Sequence, residues 1–181
     1  MGRSLARDHG AKRAALLKAA ARAFAASGVA GASMAEVARA AGVSKGVLYH
    51  YWPSKEALLF EILDGYLSDL RDVVLAEGEL GPLLEAILLA YEGMDAEHRI
   101  QGEGMALLPP EKAEVLRGYQ REMVARMGEV LGDRRRSAVM SVFGMLNWFY
   151  MWHPGADRAA RLAYARDVAA IARGGVGALG G

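Results

Sequence analysis

The stretch that most constrains the fold of this chain is SMAEVARAAGVSKGVLYHYWPSK, residues 33–55. It begins with Ser33, followed three residues later by Glu36, a spacing that predicts a capping box at the start of a helix. Gly42 follows that helix where a left-handed C-cap residue is favoured, and Ser44 can then cap a second helix. Two short capped helices joined by a glycine turn make a helix-turn-helix, a motif whose second helix enters the major groove of DNA.

The rest of the chain is also predicted to be helical. Apolar residues recur at spacings of three and four, the period of an amphipathic helix, and no segment has the two-residue period of a strand. The sequence therefore predicts an all-α fold of about nine helices. Besides the two helices of the helix-turn-helix, the predicted helices cover residues 11–27, 54–76, 82–91, 103–107, 111–131, 134–152 and 156–173.

The predicted helix 134–152 differs from the others because apolar side chains cover nearly its whole circumference. A helix that is apolar all round is buried on all sides. A chain of this size is too small to enclose such a helix completely. We therefore expect one face to lie in the core and another to contact a second copy of the chain.

The charge of the chain is divided unevenly along its length. Residues 1–55 carry nine Lys or Arg and two acidic residues, a balance of +7, whereas residues 56–181 carry thirteen Lys or Arg and nineteen acidic residues, a balance of −6. The basic end coincides with the helix-turn-helix. Because Lys and Arg supply most non-specific affinity for DNA by neutralising phosphates, this distribution favours double-stranded DNA as a partner.

Composition excludes several other classes of protein. With 53% hydrophobic and 24% charged residues, the chain has the composition of a globular domain. It has no cysteine, and therefore no disulfide or thiolate metal site. The N-terminus lacks the apolar run of a signal peptide, and the longest apolar stretch, residues 140–152, is shorter than a membrane span. We expect a soluble cytoplasmic protein.

Two alternatives to a regulated DNA-binding protein are an enzyme and an architectural DNA-binding protein without an effector. None of the four His lies in a metal-ligand spacing, and the chain has no glycine-rich phosphate loop, cysteine nucleophile or nucleophile elbow. We therefore predict no catalytic residue, no metal and no cofactor. Tight packing of residues 56–181 without a cavity would favour the architectural alternative.

One combined pattern runs through residues 12–60: Phe24, Gly28, Ser33, Val37 and Ala38, the run AGVSKGVLY at 41–49 and the run KEAL at 55–58. With these residues the chain resembles the TetR family of bacterial transcriptional regulators. The resemblance implies a helix-turn-helix DNA-binding domain over residues 1–53 and a helical ligand-binding and dimerisation domain over residues 54–181. It also implies a repressor that binds a palindromic operator as a homodimer and is released by a small hydrophobic effector.

The resemblance assigns DNA-binding roles to nine residues. Lys45 and Gly46 would face base edges, Val47 would touch a thymine methyl, and Lys55 would contact a phosphate. The other members would contact the backbone or cap a helix, and the complete set is Ser33, Ser44, Lys45, Gly46, Val47, Tyr49, His50, Tyr51 and Lys55. Structural roles remain open for some of them: Ser33 as a cap only, and Val47 and Tyr51 as packing residues.

The resemblance also implies an apolar effector pocket in the ligand-binding domain. Met and aromatic side chains suit a pocket that accepts different apolar ligands. Eleven residues are candidates: Tyr66, Tyr91, Met94, Met105, Tyr119, Met123, Met127, Phe143, Asn147, Trp148 and Met151. Core packing is the alternative for each, since such side chains are usually buried. Asn147 is polar among apolar neighbours, so it requires either a hydrogen bond between helices or a ligand.

Residues 144–155, GMLNWFYMWHPG, are similar to a segment of TetR regulators that respond to acyl-CoA thioesters. This similarity makes an acyl-CoA one candidate effector, with another apolar compound such as a drug or xenobiotic as the alternative. The chain also departs from the family's usual pattern at Val29, at Ala32 and at Trp52, where the family usually has phenylalanine.

Overall fold

A computed structural model describes the backbone of residues 2–178 and the side chains of residues 10–175. Within this range the chain forms nine α-helices and no strand, which confirms the predicted all-α fold with an N-terminal helix-turn-helix. In chain order the helices are α1 (Gly2–Ser27), α2 (Met34–Ala40), α3 (Lys45–Tyr51), α4 (Lys55–Ala76), α5 (Leu80–Ala90), α6 (Asp95–Ala106), α7 (Pro110–Leu131), α8 (Arg136–Trp152) and α9 (Arg158–Ala178).

The chain divides into two compact units. Unit 1 comprises Met1–Tyr66 and Ala96–Leu116, and unit 2 comprises Leu67–Asp95 and Arg117–Gly181. The chain passes between the units three times, and each division falls inside a helix: between residues 66 and 67 in α4, between 95 and 96 at the start of α6, and between 116 and 117 in α7. These compact units do not test the boundary predicted between a DNA-binding domain ending at residue 53 and a ligand-binding domain beginning at residue 54, which stays a prediction.

Three predicted helix limits are wrong. The first helix starts at Gly2 rather than at residue 11, and the last continues to Ala178 rather than ending at residue 173. The predicted helix 103–107 is in fact the twelve-residue α6. The first limit rested on the expectation that a terminal segment is loose. The other two rested on glycines, but glycine only weakens a helix and does not by itself end it.

Gly104 of α6 has a positive reason to be glycine. It is buried, and a Cβ atom at this position would lie 3.1 Å from Leu63 Cδ1 and 3.2 Å from Leu59 Cδ1 of α4. These distances are tighter than ordinary van der Waals contact, so a larger residue would require the two leucine side chains to shift. Within unit 1, the glycine therefore permits close packing of these two helices.

The core of unit 1 follows the predicted apolar stripes. Leu16, Ala20 and Phe24 of α1 are buried, and α1 packs on α2, which packs on α3. Gly28 and Gly42 adopt φ values of 75° and 66° where α1 and α2 end. An L side chain is strained in this left-handed region, whereas glycine adopts it freely. These two glycines are the helix stops that the sequence predicts.

The core of unit 2 is formed mainly by α5, α8 and α9. Leu83, Leu84, Ile87 and Leu88 of α5 are fully buried, and α5 has its most extensive packing against α9. Within the described part of the chain, no helix is long and apolar enough to cross a membrane.

Arg161 of α9 is only 3% exposed and caps the C-terminus of α5. Its Nη1 donates to the Leu88 carbonyl at 3.1 Å, its Nε donates to the Ala156 carbonyl at 3.1 Å, and its Cζ lies 5.8 Å from the centre of the Phe149 ring. The last carbonyls of a helix have no partner within the helix and carry partial negative charge. A buried cation is therefore favourable at this position.

We predict that Arg161→Met lowers the free energy of unfolding by about 2 kcal/mol, because it leaves two buried carbonyl groups without donors. Urea denaturation followed by circular dichroism measures this change. The control is Arg158→Met, at an exposed position of the same helix, where we expect a change within about 0.5 kcal/mol. Equal losses in the two variants would contradict the capping role.

Candidate nucleic-acid interface and effector-binding residues

Two serines fix the starts of α2 and α3. The Ser33 backbone N–H donates to Glu36 Oε2 at 2.7 Å, and the Glu36 N–H donates to Ser33 Oγ at 3.3 Å, which is a complete capping box. Ser44 Oγ accepts from the Val47 N–H at 3.3 Å. The hydrogen bonds with Ser33 hold the pKa of Glu36 below its ordinary value. The capping role of both serines is therefore present, and their role toward DNA stays a prediction.

The N-terminal turn of α3 presents an exposed surface. Lys45 and Gly46 are exposed, as are Tyr49 and His50 one turn later. Residues four apart are neighbours on a helix, so Lys45 lies next to Tyr49 and Gly46 next to His50. Lys45 Nζ lies 5.5 Å from the centre of the Tyr49 ring, so the cation stands over the aromatic face. Four of the nine predicted DNA-binding residues thus form one surface, which we call the α3 face.

Val47 and Tyr51 are half-buried, and Leu48 between them is fully buried. The Tyr51 ring lies 5.4 Å from the Trp52 ring and 5.6 Å from the His50 ring. Both half-buried residues therefore contribute to packing, the alternative that the sequence left open for them.

Lys55, predicted to contact a phosphate, is bound within the protein. Its Nζ donates to three backbone carbonyls, those of Val29 at 3.0 Å, Ala30 at 3.1 Å and Ala32 at 3.1 Å. An ammonium group has three hydrogens, one for each of these three carbonyls. This geometry argues against a phosphate contact. The sequence carries no signal for these hydrogen bonds, because the three carbonyls belong to residues more than twenty positions away.

The predicted effector-binding residues are divided between the two units. Tyr66 and Met105 belong to unit 1, and the other nine belong to unit 2. Five are buried, namely Tyr66, Tyr91, Met123, Met127 and Phe143. Three are half-buried, namely Met94, Met105 and Tyr119, and three are exposed, namely Asn147, Trp148 and Met151. Their role as a pocket stays a prediction.

Unit 2 also contains an open cavity of about 170 Å³ near the turn between α7 and α8. None of its lining residues belongs to the predicted set; they are Val124, Ala125, Gly128, Glu129, Arg134 and Val139.

Two polar pairs involve predicted pocket residues. In unit 2 the Tyr91 hydroxyl donates to Asn147 Oδ1 at 2.7 Å, which joins α8 to the end of α5. Burial raises the pKa of Tyr91, so its hydroxyl remains protonated and can donate. In unit 1 the Tyr66 hydroxyl lies 2.6 Å from His98 Nδ1. The sequence predicted that Asn147 requires a hydrogen-bond partner, and Tyr91 of the same unit is that partner.

The helix α8 is not buried on all sides. One face, which includes Val142, Leu146 and Phe149, is buried in unit 2. On another face Trp148, Met151 and Trp152 are 62%, 52% and 54% exposed. We call these three residues the α8 surface. Apolar side chains of this size exposed side by side mark interaction sites in soluble proteins.

The described residues contain no group of three or more His, Asp or Glu that could hold a metal ion.

The helix-turn-helix geometry agrees with a comparison to known families. Residues 16–62 match the sequence model of the family described as bacterial regulatory proteins, tetR family. The helix-turn-helix region of this chain belongs to the TetR family. Over 92 residues it is 39% identical to the HTH-type transcriptional repressor KstR2 of Rhodococcus jostii, a match that covers 48% of this chain and 45% of that protein. The chain thus spans about half the length of the curated relatives it matches.

Solved structures of TetR proteins match over most of the chain. A TetR-family transcriptional regulator from Bordetella parapertussis has a TM-score of 0.77 and 28% identity, covering 88% of this chain and 93% of that one. The structure of AibR in complex with isovaleryl coenzyme A and operator DNA has a TM-score of 0.71 and 23% identity, covering 88% and 97% of the two chains. At this identity the likeness to AibR is one of fold.

Trp52, which replaces the usual phenylalanine of the TetR family, brings a polar group into a buried position. It is 2% exposed, and its indole Nε1 donates to Glu61 Oε2 at 2.6 Å. Arg13 Nη2 donates to the same oxygen at 2.6 Å, and Arg13 Cζ lies 5.5 Å from the centre of the Trp52 ring. Glu61 of α4 therefore joins α1 to the residue that ends α3.

Arg39 is an exposed basic residue that the predicted DNA-binding set does not include. It lies in the last turn of α2, is exposed, and belongs to the same module as the α3 face. Its signal in the sequence is its place among the nine basic residues of the N-terminal 55. We infer that Arg39, unlike Lys55, is available to a phosphate.

We predict that Trp52→Phe lowers the free energy of unfolding by about 1 to 2 kcal/mol, because Glu61 loses a buried donor. A double-mutant cycle with Glu61→Ala, measured by urea denaturation, isolates the hydrogen bond. In the Glu61→Ala background, Trp52→Phe should cost at least about 1 kcal/mol less than in the wild type. Additive losses would mean that only the size of the Trp52 ring matters.

Proposed function

We propose that this chain is a ligand-responsive transcriptional repressor that binds a palindromic operator as a homodimer. The observation that carries the proposal is the exposed α3 face, located on the second helix of a helix-turn-helix in a region that matches the TetR family. Its relative from Rhodococcus jostii is named as a repressor, which supports the direction of regulation.

In this proposal α3 is the recognition helix and lies in the major groove. Lys45 can donate to O6 and N7 of guanine, and Gly46 allows close approach of the backbone to the bases. Tyr49 and His50 lie one turn further along and would contact the sugar-phosphate backbone, as would Ser33 at the start of α2. Val47 and Tyr51 would act mainly by holding α3 in place.

The proposed dimer forms through the α8 surface. A helix-turn-helix protein needs two copies to contact two half-sites about one turn of DNA apart. Trp148, Met151 and Trp152 supply large apolar and aromatic area, the composition enriched in the centres of protein interfaces. Contact with a second copy would remove this area from water.

The proposed effector is a small hydrophobic compound, with an acyl-CoA thioester as the first candidate. Two observations support this class: the similarity of residues 144–155 to acyl-CoA-responsive regulators, and the fold shared with AibR, whose structure contains isovaleryl coenzyme A and operator DNA. The proposed pocket residues are those candidates of unit 2 that do not belong to the α8 surface, namely Tyr91, Met94, Tyr119, Met123, Met127, Phe143 and Asn147. Binding of the effector in the body would weaken DNA binding, the usual direction in this family.

The DNA and effector arms of the proposal can be tested together. A duplex enriched from a random library by the wild-type protein is labelled, and binding is measured by fluorescence anisotropy. Isovaleryl-CoA and longer acyl-CoA thioesters are then titrated in, with free coenzyme A as the control for the nucleotide part. Release by an acyl-CoA but not by coenzyme A is the expected result. No enrichment would overturn the DNA-binding proposal, and no release by any thioester would overturn the acyl-CoA assignment.

In the same assay, Lys45→Ala should change base preference rather than reduce affinity uniformly, because a bidentate contact to guanine contributes about 1–3 kcal/mol of discrimination. The comparison uses the selected duplex and variants with single base-pair changes. An equal loss on every duplex would contradict a role for Lys45 in base recognition.

We predict that Trp148→Glu converts the dimer to a monomer, because a carboxylate placed in an apolar interface must lose its hydration without gaining a partner. Sedimentation equilibrium distinguishes a 19.4 kDa monomer from a dimer of twice that mass. Val115→Glu, at an exposed apolar position of unit 1, is the matched control and should remain dimeric. A dimeric Trp148→Glu protein would place the interface elsewhere.

A further inference from the structure

The loop between α1 and α2, residues 28–32, is held by side chains from two other helices of unit 1. Lys55, at the start of α4, donates to the carbonyls of Val29, Ala30 and Ala32 at 3.0–3.1 Å. A charged donor strengthens each of these hydrogen bonds relative to a neutral one. One ammonium group therefore gathers three carbonyls of a five-residue loop around a single point.

The same loop is held from α6 by a carboxylate. Glu103 Oε1 accepts the Ala30 backbone N–H at 2.9 Å. A Cβ atom at Gly28 would lie 3.9 Å from both Glu103 carboxylate oxygens, so this group also lies over the left-handed glycine that ends α1. The Ala32 N–H donates back to the Gly28 carbonyl at 3.1 Å and closes the loop. A cation thus binds its carbonyls, and an anion binds its N–H group.

The loop leads directly to the helices that form the proposed DNA interface. Ser33, the residue after it, is the N-cap of α2. The turn from α2 to α3 is short and closed by two hydrogen bonds, from the Gly42 N–H to the Arg39 carbonyl at 3.1 Å and from the Val43 N–H to the Ala38 carbonyl at 3.0 Å. Movement of the loop would therefore be passed to α2 and, through this turn, to the α3 face.

We propose that Lys55 and Glu103 are positioning residues for DNA binding: they hold loop 28–32, and through it α2 and α3, and neither contacts DNA. This inference rests on the proposed DNA-binding function. It differs from the phosphate contact expected for Lys55, because the three hydrogens of its ammonium group are already bound.

The salt dependence of DNA binding separates the two roles of Lys55. The variant is Lys55→Met, whose unbranched side chain is one atom shorter and has no donor. We expect its affinity to fall about tenfold on both the selected duplex and an unrelated duplex, with the slope of log affinity against log salt unchanged. A phosphate contact would instead reduce the size of that slope by about 0.9, and this result would overturn the positioning role of Lys55.

Glu103 allows a matched pair of variants. Glu103→Gln and Glu103→Ala remove the same negative charge, but only glutamine keeps an oxygen that can accept the Ala30 N–H. The glutamine variant should therefore bind the selected duplex several-fold more tightly than the alanine variant, because the hydrogen bond is retained. Equal affinities of the two variants would overturn the positioning role of Glu103.

We call the hydrogen bonds from Lys55 and Glu103 to loop 28–32 the clamp. Hydrogen exchange measured without DNA tests the clamp independently of the proposed function. In Lys55→Met and Glu103→Ala, amides of residues 30–36 should exchange faster than in the wild type, while those of α9 should be unchanged. Unchanged exchange in the loop would overturn the clamp even if the protein binds DNA. If the wild-type protein binds no duplex, the proposed function is wrong, and so is the role of the clamp in DNA binding. Faster loop exchange in the variants would still show that Lys55 and Glu103 hold the loop.

Discussion

The arrangement of unit 1 depends on the close contact between α4 and α6 at Gly104. A Cβ atom there would lie within 3.2 Å of Leu59 and Leu63, so glycine allows the two helices to lie this close without a shift of either leucine side chain. Glu103, the adjacent residue, can then reach the loop before α2. The same helix also brings Glu97 within 3.2 Å of Lys18 of α1. The close packing at Gly104 is therefore accompanied by polar contacts that join α6 to α1 and to the loop before α2.

The basic charge of the N-terminal region serves two purposes. Lys18 and Lys55 are bound to groups of the protein itself, and Arg13 is bound to Glu61. Lys45 and Arg39 are exposed on the helices of the motif. The balance of +7 over residues 1–55 therefore overstates the charge available to DNA, since part of it stabilises the module instead. This division explains why net charge predicts the partner but not the individual contacts.

Unit 2 has an ordered interior beside an apolar surface. Arg161 caps α5, and the Tyr91 hydroxyl binds Asn147, so the polar groups of this region are matched with partners. The Phe149 ring stacks on the Tyr164 ring at 4.7 Å and meets the Trp152 ring edge-on at 5.1 Å. Trp152 is thereby held at the edge of the core with more than half of its area exposed. A rigid aromatic side chain of this kind suits a protein interface, because little conformational entropy is lost on binding.

The sequence by itself determined the features that depend on residues close together in the chain. The capping box at Ser33, the cap at Ser44 and the glycine stops at residues 28 and 42 follow from local hydrogen bonding and backbone conformation, and the all-α class follows from apolar periodicity. The separation of the exposed α3 face from the buried Leu48 has the same local origin.

Only the tertiary structure decided the contacts between residues far apart in the chain. The carbonyls bound by Lys55 lie more than twenty residues before it, and the N–H bound by Glu103 lies 73 residues before it. From the sequence, Gly104 suggests a break in the helix, because glycine has low helix propensity. In the structure it lies inside α6, where it packs against α4. Local propensity cannot predict such pairings, because their free energy depends on which helices pack together and how closely. The same limit applies to α8, whose apolar circumference did not reveal which of its faces would be buried and which exposed.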